Sequence, residues 1–176
     1  MKYMITGPPG AGKTTVLEEL HDRGFATVDA DFAPGLAGWV DNITGDKVAD
    51  WSAENPKCPP GCMWGWGLTE MRTMIDNPPG NPFFFGGQAD RIEHFYPLFN
   101  KIFGLMLDEE TNIQRVSSPR NNPHNYGAKP EHIDQTRIIN RGFVEHAEQN
   151  GIILIDALQP VPTIADTILR LCDERS

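Results

Sequence analysis

Cysteine and positive charge are both in short supply in this sequence, and each shortage excludes something. Three cysteines among 176 residues, Cys58, Cys62 and Cys172, leave an odd thiol and build no disulfide framework. Cys58 and Cys62 flank Pro59-Pro60-Gly61, but no second cysteine pair completes a zinc knuckle. The five histidines, His21, His94, His124, His132 and His146, lack ligand spacing, and structural roles are expected for them. Fifteen Lys and Arg stand against 24 Asp and Glu, a formal charge of -9, which disfavours a nucleic-acid track needing clustered cations to displace counterions. A small anionic ligand requires only a few local cations and stays compatible. No apolar run approaches the roughly 18 residues that a membrane span needs. No charged and apolar leader precedes the first strand signal, so a cytoplasmic location is expected. There is no internal repeat.

What is present is an alternation of short apolar strands and amphipathic helices. Residues 2–6 read as a strand ending at Gly7, and 12–23 as a helix with Val16, Leu17 and Leu20 on one face before Gly24. Further strands are expected at 25–30, 83–85, 101–107 and 152–155, the last introduced by Asn150-Gly151. Helices are expected at 109–116, 131–149 and 163–173. This order predicts one α/β domain, a three-layer sandwich with a five-stranded parallel sheet covered on both faces. Two stretches break the rhythm. Residues 32–80, rich in Gly, Pro and Trp, are expected to form a substrate-binding insertion, and 117–130, rich in Pro, Asn and Arg, a short lid.

Gly7-Pro8-Pro9-Gly10-Ala11-Gly12-Lys13-Thr14 matches the phosphate-binding loop, the Walker A pattern, and lies where the physics requires it, after a strand and before a helix. Backbone N–H groups and the helix dipole then converge on phosphate oxygens. Pro8 and Pro9 have no N–H, so donors come from Gly10, Ala11, Gly12, Lys13, Thr14 and Thr15. Lys13 is expected to reach the β- and γ-phosphates and the Thr14 hydroxyl to ligate Mg²⁺.

Switch-type GTPases need Asp-x-x-Gly after a strand and Asn-Lys-x-Asp, and neither occurs. A mechanical ATPase needs an apolar strand ending in Asp-Glu, which Leu107-Asp108-Glu109 supplies in outline; the competing account is a strand end followed by acids suited to a helix N-terminus. With these residues in place, the chain resembles the small-molecule and nucleotide kinases of the phosphate-loop class, such as shikimate, gluconate and adenylate kinases. Within that class it resembles bacterial and phage ATP-binding proteins labelled nucleoside kinase-like. The likeness is carried by the N-terminal loop, Asp29-Ala30-Asp31, Phe83-Phe84-Phe85-Gly86-Gly87, Phe103-Gly104-Leu105-Met106-Leu107 with Glu109 and Arg115, Asn125-Tyr126-Gly127-Ala128-Lys129-Pro130-Glu131, and Ile153-Leu154-Ile155-Asp156-Ala157 with the loop at 160–162. It implies an ATP- and Mg²⁺-dependent phosphotransferase acting on a small-molecule hydroxyl, with Asp31 at the acceptor, Asp29 near the metal, base contacts around Pro160, and acceptor contacts at Gly86, Gly87 and Asp90. Gln88-Ala89-Asp90-Arg91 departs from the small-residue and Asn run of the similar proteins.

Arg115 and Arg120 lie close enough in sequence to embrace one phosphate, a task that suits the guanidinium fork. Trp39, Trp51, Trp64 and Trp66 all fall in the insertion. Trp64 and Trp66, two apart, face the same way in an extended segment and are candidates to line the pocket. Arg72, on an expected helix, is a candidate for an anionic group of the acceptor. Arg137 and Arg141 are expected to pair with Glu145 or Glu148. A nucleoside-like or antibiotic-like acceptor suits these residues; an NTPase driving a conformational or assembly change and a polynucleotide 5′-hydroxyl kinase are the alternatives. Replacing Lys13 by Ala is expected to remove charge-assisted hydrogen bonds worth ~1.5–3 kcal/mol, weakening nucleotide affinity about 10- to 150-fold, as read by fluorescent-nucleotide titration.

Overall fold

In a computed structural model of the chain, residues 1–49, 58–118, 126–127 and 129–174 are described. Trp51, Arg120, His124 and most of the expected lid fall outside the described residues. The central sheet is wholly parallel and has five strands, as the alternation of elements predicts. These are β1 (Lys2–Thr6), β2 (Ala26–Asp29), β6 (Phe83–Gly86), β7 (Lys101–Met106) and β8 (Ile153–Asp156), in the order β2-β6-β1-β7-β8. β1 is therefore central, and the chain crosses from one side of it to the other between β6 and β7. That switch point opens a crevice at the carboxyl ends of the strands.

The two-residue alternation of side chains divides the core. Tyr3, Ile5, Phe84, Phe103, Leu105 and Ile155 point to one face, where α1 (Lys13–Asp22) supplies Val16, Leu17 and Leu20, and α5 (Val161–Asp173) supplies Ile164, Ala165 and Ile168. Met4, Phe83, Phe85 and Ile102 point to the other face. There they meet Met71 and Ile75 of α2 (Leu68–Asp76), Ala147 of α4 (Pro130–Gln149), and a 3₁₀ helix, Ile92–Leu98. Phe83, Phe84, Phe85 and Phe103 are wholly buried, and aromatic side chains of this size dominate core energetics.

The insertion carries regular structure that the sequence does not announce. β3 (Ala37–Asp41), β4 (Lys47–Ala49) and β5 (Cys62–Trp66) form a separate antiparallel sheet in the order β4-β3-β5. Its strands are short and interrupted by Gly38 and Gly65, and glycine weakens a strand signal. The β3–β5 register sets Trp39 opposite Trp64 and Ala37 opposite Trp66. Trp66 joins the core of the main sheet, its ring 5.2 Å from that of Phe85 and 5.7 Å from that of Phe95.

This docking depends on the absence of side chains after β6. A Cβ on Gly86 would stand 2.4 Å from a methyl of Leu17, and one on Gly87 would stand 2.6 Å from both the Ala30 Cβ and the Trp66 ring. Gly87→Ala is accordingly expected to overpack the junction and destabilise the fold by ~1–3 kcal/mol. Urea unfolding monitored by tryptophan emission checks this, with a blue-to-red displacement of the native spectrum as Trp66 is pushed from its seat.

Candidate active site

The expected phosphate loop runs from the end of β1 into α1. Gly12 is the N-cap of α1 at φ 96° and ψ 20°, a left-handed conformation that glycine adopts without steric cost. A Cβ there would meet nothing within 4 Å, so conformation rather than space requires the glycine. The Ala11 N–H donates to the Pro8 carbonyl at 3.1 Å, and the Lys13 ammonium donates to the carbonyls of Gly7 and Pro8 at 3.0 and 3.1 Å. The cation thus lies across the arch from which the first-turn amides project.

The first turn of α1 is tied to the end of β2. Thr14 Oγ1 donates to Asp29 Oδ2 at 2.7 Å, and Asp29 Oδ1 accepts the Asp31 backbone N–H at 2.9 Å. A hydroxyl and a carboxylate are thereby held together beside the loop, a hard-oxygen pair of the kind that suits Mg²⁺. On the far side, Thr6 Oγ1 donates to Gln88 Oε1 at 2.9 Å.

A pair of amides that sequence reasoning missed, one buried and one half-buried, supports the arch. Asn112, wholly buried on α3 (Glu109–Ser117), donates through Nδ2 to the Pro9 carbonyl at 2.6 Å. Its Oδ1 accepts from Asn140 Nδ2 of α4 at 3.1 Å, and the same nitrogen donates to the Leu107 carbonyl at 3.1 Å. Neither asparagine belongs to a motif; the one available signal is an amide on the face of a helix that otherwise turns Val116 inward. From α3, the Arg115 guanidinium reaches the Ala157 carbonyl at 3.3 and 3.4 Å.

The Asp108-Glu109 pair is occupied structurally. Asp108 is the N-cap of α3 and accepts the Thr111 N–H at 2.8 Å, a backbone hydrogen bond that holds its carboxyl below the usual carboxylate range. Glu109 receives two hydrogen bonds from Arg141, at 2.6 and 2.9 Å, and lies 3.7 Å from Arg137. Arg141 and Arg137 reach Glu109 of α3, because α3 and α4 pack against each other, and Arg137 also donates to Asp134 of its own helix at 3.2 Å; neither pairs with Glu145 or Glu148.

One cleft of about 1080 Å³ joins these parts. The loop residues Gly10, Ala11, Gly12, Lys13, Thr14 and Thr15 line it, together with Asp31, Asp90 and Arg115. Trp39, Trp64 and Trp66 wall it from the insertion. The rings of Trp39 and Trp64 meet edge to face, 5.7 Å apart at 83°, whereas Trp66 is only 3% exposed and chiefly a core residue. Desolvation by its surroundings, and then the nearby Glu93 carboxylate, push the Asp90 carboxyl above its usual range. Gln159 and Val161 line the cleft beside Ala157. So do Tyr126 and His132, stacked 4.7 Å apart at 10°, with His132 Nδ1 accepting the Gly127 N–H at 3.1 Å.

Other expected residues stand elsewhere. Arg72 is exposed on α2, which turns Met71 and Ile75 inward, and it does not line the cleft. Gly86 and Gly87 lie buried beneath the cleft, against Leu17 and Trp66. Pro160 is the exposed N-cap of α5, with Gln159 and Val161 on either side of it at the cleft.

No family model matches the chain, and no curated protein is similar to it in sequence. Solved structures match nearly its whole length. Shikimate kinase from Acinetobacter baumannii in complex with shikimate has a TM-score of 0.61 at 16% identity, covering 97% of this chain and 92% of that one. Deoxyadenosine kinase from M. mycoides with bound dATP has 0.55 at 14% identity, covering 99% and 100%. An unliganded sugar kinase from Janibacter sp. HTCC2649 has 0.55 at 12% identity, covering 98% and 94%. The chain therefore has the fold of the phosphate-loop nucleotide and small-molecule kinases.

Asn112→Ala would strand the part-buried Pro9 carbonyl and half of the Asn140 amide. The expected cost is ~1–3 kcal/mol of stability, read as a lowered urea midpoint at unchanged m-value.

Proposed function

We propose that the chain is an ATP- and Mg²⁺-dependent kinase that transfers the γ-phosphoryl group to a hydroxyl of a small molecule, nucleoside-like or antibiotic-like. The observation that carries this reading is the chain of contacts from Thr14 to Asp29 to the Asp31 backbone, which draws a phosphate loop, a candidate metal pair and a cleft carboxylate together. The cleft is roomy for one ligand, since single small-molecule sites span about 300–1,000 Å³, and its volume supports two substrates side by side.

In this reading the amides of residues 10–15 and the Lys13 ammonium hold the triphosphate, and Arg115 shares its charge. Thr14 and Asp29 are the residues suited to hold Mg²⁺, which when bound supplies charge neutralisation on the phosphates. Asp31 aligns the acceptor hydroxyl and takes its proton. A bond forms from the acceptor oxygen to Pγ, the bond from Pγ to the bridging oxygen breaks, and that electron pair leaves with ADP. The 32–80 insertion is the acceptor module and 117–130 the lid, with Arg120 as a further phosphate ligand. No helix among the described residues is long and apolar enough to cross a membrane, which is compatible with the cytoplasmic location we propose.

The rival NTPase reading needs an acidic pair at the end of β7 open to metal and water. Asp108 caps α3 and Glu109 is held by Arg141, which favours the kinase. Transfer from γ-labelled ATP to a panel of nucleosides, sugars and hydroxylated antibiotics tests the choice. Asp31→Asn is expected to lower kcat about 10²- to 10⁴-fold, the usual worth of a general base. Asp108→Asn, which retains a good helix cap, is expected to stay within a few-fold of the parent. The reverse pattern, or vigorous ATP hydrolysis with no acceptor labelled, sinks the proposal.

A further inference from the structure

The cleft has an uneven distribution of charge that bears on what the acceptor is. Its two lining cations among the described residues, Lys13 and Arg115, are both engaged with backbone carbonyls of the nucleotide side, those of Gly7, Pro8 and Ala157. Cations in or next to the insertion are, among the described residues, directed elsewhere. The Lys47 ammonium donates to the Gly35 carbonyl at 2.5 Å, the Arg91 guanidinium donates to the Asn42 carbonyl, and Arg72 is exposed on α2.

On the insertion side the lining includes aromatic and acidic residues, beside neutral ones such as Gln88 and Ala89. Trp39 is about nine-tenths buried and Trp64 half-buried, and their edge-to-face contact fixes the two indoles on neighbouring strands. The buried Trp39 Nε1–H has no acceptor among the described residues. Asp31 and Asp90 line the same cleft, and among the described residues the Asp90 carboxylate receives neither a hydrogen bond nor an ion pair. Asp90 is exposed on the cleft wall and stands near a second acid, Glu93, so that wall carries a negative field that favours a cationic ligand. Indole faces attract the same class of ligand through their ring quadrupole.

We propose that the acceptor is an organic cation, a hydroxylated small molecule whose protonated amine lies among Trp39, Trp64 and Asp90 while its hydroxyl is presented to Asp31. An ammonium donates charge-assisted hydrogen bonds to a carboxylate and stacks on an indole at once. An anionic acceptor meets like charge there, and a neutral one gains nothing from the field of Asp90. The inference rests on the kinase reading for the role of Asp31; the preference for positive charge follows from the walls alone.

The test is calorimetric titration of the full chain, with Mg²⁺ and a non-hydrolysable ATP analogue present. The probes are glucosamine and an aminocyclitol disaccharide, each beside its N-acetylated counterpart, with deoxyadenosine and shikimate as neutral and anionic arms. Each amine is expected to bind at least about tenfold more tightly than its acetylated partner. Asp90→Asn and Trp64→Ala, each verified as folded by thermal melting, are expected to erase most of that difference. If one variant does not fold, the wild-type pairs and the other variant decide.

Equal or tighter binding of the acetylated compounds, of deoxyadenosine or of shikimate overturns the proposal, as does no binding of either amine. Phosphoryl transfer measured in parallel separates the two readings. An amine that binds selectively but is never phosphorylated sinks the kinase and leaves the cation site standing. Phosphorylation of deoxyadenosine without any amine preference does the opposite.

Discussion

Strand β1 is hydrogen-bonded in parallel on both sides, to β6 and to β7, and the rest of the site hangs from that double pairing. A central strand has little freedom to shift, because a one-residue slip would turn Tyr3 and Ile5 to the wrong face of the sheet. The loop that leaves its carboxyl end is therefore delivered to a fixed place, and α1 begins at a fixed distance from β2. The 2.7 Å contact from Thr14 to Asp29 is possible only because β2 is held two strands away by β6. Chemistry at the loop is thus positioned by backbone pairing before any polar contact contributes.

The elements that sequence made legible are those with a dense local signal. The parallel sheet was readable because its strands are continuous apolar runs, Phe83-Phe84-Phe85 above all, which only a sheet covered on both faces can bury. The phosphate loop was readable because it requires particular residues at particular offsets. The placement of Asp29 and Asp31 beside the loop was readable because they stand at the end of a strand whose place in the sheet could be anticipated. Boundaries slipped by one or two residues at β2 and β8, where the ends depend on ladder partners far away in the chain.

What was not legible depends on tertiary placement. The three-stranded sheet of the insertion is built from segments of three to five residues, too short for alternation to stand out and broken by glycine. Arg72 looked like a ligand residue because its chemistry fits one, yet the face of a helix is chosen by its apolar neighbours, and Met71 and Ile75 turned it to solvent. Gly86 and Gly87 read as contacts to substrate and proved to be clearances for Leu17 and Trp66. Asn112 and Asn140 carried no pattern at all, since a buried amide becomes meaningful only once the carbonyl it serves is known. Asp108 shows the converse: a residue with two readable meanings, in which the helix took the carboxylate.

The amide pair of Asn112 and Asn140 has a mechanical consequence. Through it, α3 and α4 are bonded to each other and, by way of Pro9, to the phosphate arch. A displacement of the arch loads both helices together, so α3 and α4 act as a single bracket under the loop rather than as two independent posts.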